Sequence, residues 1–95
     1  MSLAELVEKY VNSAEDVFRN MKVTDVCLSV DVDCVRGVLE SAKAYLEDAE
    51  YYRDKRKFEV SLTSVAYCEG LLDALRLLGA VKFEWPARRK PKNVR

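Results

Sequence analysis

The sequence predicts an all-α fold: a three-helix up-and-down bundle with an extended linker between helices 1 and 2 and a basic C-terminal tail. Three observations carry that prediction. Apolar residues recur at spacings of three and four through three segments of about twenty residues, the helical period. Residues that start and stop helices stand at the ends of those segments. The one segment with a period of two has no second such segment to pair with. At 1.5 Å per residue each helix is about 30 Å long, the length of a small bundle.

The first helix opens at Ser2, where Glu5 three residues on completes a capping box. Leu3, Leu6, Val7, Tyr10, Ala14, Val17, Phe18 and Met21 form its apolar stripe, with Glu5, Glu8, Lys9, Asn12, Glu15, Asp16 and Arg19 away from it. From Val23 to Asp33 the pattern alternates: Val26, Leu28, Val30 and Val32 against Asp25, Cys27, Ser29 and Asp31. A lone strand leaves its backbone groups unpaired, so an extended linker is expected here; a strand pairing with a second copy of the chain is the other reading. Ser29, Asp31 or Asp33 caps the second helix. Its apolar face runs through Val35, Val38, Leu39, Ala42, Leu46 and Ala49 to about Asp54. Lys55, Arg56 and Lys57 then sit at its negative end, where cations are favoured.

The third helix runs from about Phe58 to Leu78, and Gly79 is its stop. Val60, Tyr67, Leu71, Ala74, Leu75 and Leu78 make the main face, with Phe58, Leu62, Val65, Ala66 and Leu72 extending it sideways. A helix apolar over so much of its circumference is expected to be central. Val81, Phe83 and Trp85 can fold back on it. Residues 1–85 are expected to form one domain and 86–95 a basic, mobile tail. The neutral total charge conceals this division: residues 1–81 carry 15 acids and 10 bases, whereas 82–95 carry six bases and one acid.

Composition narrows the chemistry. The chain has no histidine, which removes imidazole bases, Ser-His and Cys-His pairs, and zinc or di-iron sites built on imidazole. Three cysteines without a Cys-x-x-Cys pair read as reduced thiols in a cytoplasmic protein. The acidic start lacks the pattern of a secretory signal, and no apolar run is long enough to cross a membrane.

Three constellations remain. Glu47 and Glu50 with Glu69 and Asp73 loosely resemble the paired carboxylates with which helical nucleotide pyrophosphohydrolases of the MazG type hold magnesium. Glu69 and Asp73 are one residue too far apart for that pattern, and Glu47 and Glu50 index toward solvent. Glu69, Asp73 and Arg76 share one flank of the third helix; they form either an ion-pair cluster that fixes packing or a small pocket beside Ala66 and Gly70. Lys55, Arg56 and Lys57, with Arg88, Arg89, Lys90 and Lys92 and the ring of Trp85, are the candidates for nucleic-acid contact.

The helical hairpin also carries a resemblance. Ala42, Tyr45, Asp48, Ala49, Tyr51 and Tyr52, a basic turn, then Tyr67, Gly70, Leu72, Asp73, Ala74, Arg76, Leu77 and Gly79 make a pattern similar to an archaeal family known as domain of unknown function 357. The match spans residues 42–79. Relatives often have Gly-Asp where this chain has Arg56-Lys57, and histidine where it has Glu69. The resemblance implies a small three-helix bundle in an archaeal cytoplasm and implies no activity. The function expected is therefore a small non-enzymatic helical interaction module, binding a protein partner or its own copy. No cofactor, metal or membrane is expected. A nucleic-acid-binding accessory protein and a magnesium-dependent pyrophosphohydrolase-like enzyme are the alternatives.

Overall fold

A computed structural model describes residues 1–25 and 28–86. It contains three helices, α1 (Leu3–Asn20), α2 (Val32–Asp54) and α3 (Phe58–Leu77), and no strand among the described residues. The starts of α1 and α2 and the end of α3 each have a local reason. At α1 the Ser2 hydroxyl accepts from the Glu5 backbone and the Glu5 carboxylate accepts from the Ser2 N–H at 2.8 Å. That second bond favours the ionised carboxyl and holds Glu5 below the usual carboxylate range. At α2 the Asp31 side chain accepts from the Cys34 N–H at 2.8 Å and is held low for the same reason. Gly79, with φ 81°, closes α3: its N–H donates to the Arg76 carbonyl and that of Ala80 to Leu75, two bonds that satisfy carbonyls left over at the helix end.

The turn between α2 and α3 turns on Arg56, which has φ 61°. A side chain in that left-handed region is crowded by its own backbone at a cost of about 1–2 kcal/mol, and glycine escapes it. Arg56→Gly should therefore raise stability by about 0.5–1 kcal/mol, read as a higher midpoint in thermal or urea unfolding. A lowered midpoint would mean that the arginine side chain contributes more than its backbone costs.

α2 and α3 pack as an antiparallel hairpin. Ala42 and Ala49 on α2 and Cys68 and Leu75 on α3 are the buried apolar positions among the described residues. Burial pushes the Cys68 thiol up, and the charge of Glu69 adds to it. The Ser61 hydroxyl donates to the Ala49 carbonyl at 2.7 Å, tying the two helices near the turn. Tyr45 and Tyr67 meet edge to face across the hairpin, centroids 4.4 Å apart. The buried line on α3 thus runs through Cys68 and Leu75, while Val60, Tyr67 and Leu78 from its expected main face remain exposed.

α1 takes its place in the up-and-down order without being packed. No Cα of α1 lies within 8 Å of one in α2 or α3. Leu3, Leu6 and Tyr10 face Glu59, Val60 and Thr63 across a cleft of about 490 Å³. The stripe predicted from sequence is intact and open to solvent, and no residue of α1 is buried. Packed helices lie about 8–10 Å apart axis to axis; α1 stands further off than that.

Candidate functional site

The trio on α3 resolves into a pair and a neighbour. Arg76 donates from Nε and from one terminal nitrogen to the same oxygen of Asp73, at 3.3 and 3.1 Å. A third donor, the Trp85 indole N–H, reaches that oxygen at 2.8 Å. Three donors on one carboxylate oxygen make Asp73 the anchor that brings residues 80–86 back along α3. The rings complete the clasp. Phe83 and Trp85 meet edge to face at 5.0 Å, and the Arg76 guanidinium lies 5.8 Å from the Phe83 centroid. Asp73 and Arg76 side chains keep about 40% of their exposure, at 42% and 38%, so the cluster sits at the edge of the molecule.

Glu69 lies one turn before Asp73 and is itself engaged. Beside it the expected small pocket has no walls. Beyond its own stretch of helix backbone, a β-carbon placed at Gly70 would meet no described atom within 4 Å, and Phe58 and Leu62 on the same flank are 55% and 69% exposed. The flank is therefore covered at its C-terminal end by the Phe83–Trp85 segment and left open toward the α2–α3 turn.

The paired carboxylates do not assemble. Glu47 and Glu50 are exposed on α2, and Glu50 borders a hollow with Arg53, Ser61 and Val65 rather than with Asp73. Among the described residues no three Cys, Asp or Glu side chains come together in a group that would hold a metal ion. A magnesium site of the pyrophosphohydrolase kind thus lacks its ligand set here.

Lys55, Arg56 and Lys57 are exposed at the turn, Lys55 against the Tyr51 ring and Arg56 against the Phe58 ring, each about 5.5 Å from the centroid. Arg88, Arg89, Lys90 and Lys92 lie outside the described residues. Trp85, expected to lead that basic run as a stacking ring, has its N–H committed to Asp73 and one edge against Phe83.

The surface that sequence reasoning undervalued is the apolar one. Tyr10 is 63% exposed and Phe18 76%, on a stripe whose period was plain. Periodicity says that a face wants covering; it does not say whether the same chain covers it. A second hollow, lined by Leu28, Val30, Val32, Val35 and Leu78 with Asp31, lies where the linker meets the end of α3. It is apolar, and the carboxylate of Asp31 is occupied with the α2 N-terminus.

No helix among the described residues is long and apolar enough to cross a membrane. The sequence matches the family model described as "Protein of unknown function (DUF357)" over residues 9–81. No curated protein and no solved structure gives a significant match.

Proposed function

We propose that this chain, which belongs to the DUF357 family of proteins of unknown function, is a helical interaction module whose working surface is the apolar stripe of α1. One observation carries the reading: a complete amphipathic helix, capped at its start, with none of its apolar residues buried. Contiguous apolar surface on that scale marks a place where protein meets protein. The α2–α3 hairpin is the scaffold, residues 1–85 act as one unit, and the clasp at Asp73 fixes where the basic segment 86–95 leaves it. The setting we assign is a reducing cytoplasm, in keeping with Cys34 exposed and Cys68 buried as free thiols. The resemblance of residues 42–79 supports an archaeal origin as part of this proposal.

Phe18→Glu tests this. At 76% exposure the ring contributes little to the fold of a dilute single chain, and a surface substitution changes stability by about 0.5 kcal/mol or less. The unfolding midpoint of dilute protein should therefore stay where it is. Loss of about 3 kcal/mol, the mark of a buried phenylalanine, would make α1 a core element and overturn the reading.

A further inference from the structure

We infer that the occupant of the α1 stripe is a second copy of this chain, with α1 of each copy laid on the α3 face of the other. This rests on the reading of α1 as an interaction surface and names its partner.

The argument starts from area. A folded chain of 10.9 kDa exposes about 5,600 Å², whereas this one exposes 8652 Å². Setting residues 87–95 aside, at the most that an unfolded segment of that length exposes, leaves an excess of about 1,900 Å² per chain. Two copies burying that excess would bury about 3,800 Å², within the range of about 2,000–5,000 Å² found for obligate homodimers.

One chain does not bury that excess alone. Its α1 faces the beginning of α3 through Leu3, Leu6 and Tyr10. Closing that cleft would still leave Phe58, Leu62 and Tyr51 exposed on other sides of the hairpin, at 55%, 69% and 56%. The surfaces also complement each other. α1 carries Glu5, Glu8, Glu15 and Asp16 against Lys9 and Arg19, net −2, and the α2–α3 turn carries Lys55, Arg56 and Lys57. A second copy presents both signs and both apolar faces, so a two-fold pairing uses each surface twice and closes. At the α3 side the crossing falls near Gly70, where a β-carbon would meet, beyond its own stretch of helix backbone, no described atom within 4 Å.

Sedimentation velocity on the full chain is expected to give twice the chain mass. Phe18→Glu and Gly70→Leu should each shift it to the monomer, while circular dichroism retains the helices of both variants. A mixture of Val7→Cys copies and Thr63→Cys copies, mildly oxidised, should yield a 7–63 disulfide between chains, mapped by peptide mass. A wild-type chain that stays monomeric at all concentrations overturns the inference. So does a 7–63 disulfide formed within single chains of the double variant and absent from the mixture. Either result leaves α1 as an interaction surface if Phe18→Glu still spares the stability of the dilute chain. A Phe18→Glu chain that unfolds ends both.

Discussion

Leu75→Ala should abolish cooperative unfolding or bring its midpoint close to the working temperature. Leu75 is 4% exposed and, with Cys68, Ala42 and Ala49, is one of the buried apolar residues of the hairpin among the described residues. Truncating a buried leucine costs about 2–5 kcal/mol, transfer and cavity together. Small domains hold about 5–15 kcal/mol in all, and one whose first helix stands off its hairpin belongs at the low end of that range. Calorimetry or circular dichroism against temperature reads the outcome. Leu77→Ala is the control: two residues further on and 77% exposed, it should move the midpoint little. Equal losses from both would contradict the seam described for α2 and α3.

Asp73→Ala should release the C-terminal clasp. It removes three hydrogen bonds at once, two from Arg76 and one from the Trp85 indole. Bonds to a charged group contribute about 1.5–3 kcal/mol when buried, and an exposed ion pair about 0–1 kcal/mol. With the cluster about 40% exposed, an overall loss of about 1–2 kcal/mol is expected. Trp85 is the single tryptophan, so its fluorescence reports the clasp directly. Emission should shift to the red and become open to a soluble quencher as the ring leaves Phe83. Asp73→Asn keeps an oxygen for the indole N–H and loses the charge facing Arg76, so it should fall between the two. Unchanged emission in Asp73→Ala would mean that ring packing alone holds the segment.

The local features of the fold were legible because they are local. The Ser2–Glu5 box and the Gly79 stop are each written within a few residues, and the α2 cap was narrowed to Ser29, Asp31 or Asp33, of which Asp31 serves. The phase of α3 was not legible. Apolar residues surround most of its circumference, so its period does not select a buried line. The packing against α2 selects it, burying Cys68 and Leu75 on α3 with Ala42 and Ala49 on α2. The clasp was half legible: the return of Phe83 and Trp85 was expected, but that Trp85 donates to Asp73 depends on a contact twelve residues away in the chain. The left-handed turn at Arg56 was masked by a residue type that disfavours it. That the α1 stripe is open in the single chain could not be read from the stripe, because its sequence is the same whether a neighbour in the chain or another molecule covers it.

Hydrogen exchange measured across a dilution series is the most direct test of that last point. In dilute protein the amides of α1, residues 3–20, should exchange much faster than those of residues 42–75, and their protection should rise with concentration as the stripe is covered. Protection in α1 equal to that of the hairpin, and unchanged by dilution, would place the helix in the core of its own chain and contradict the role given to its apolar face.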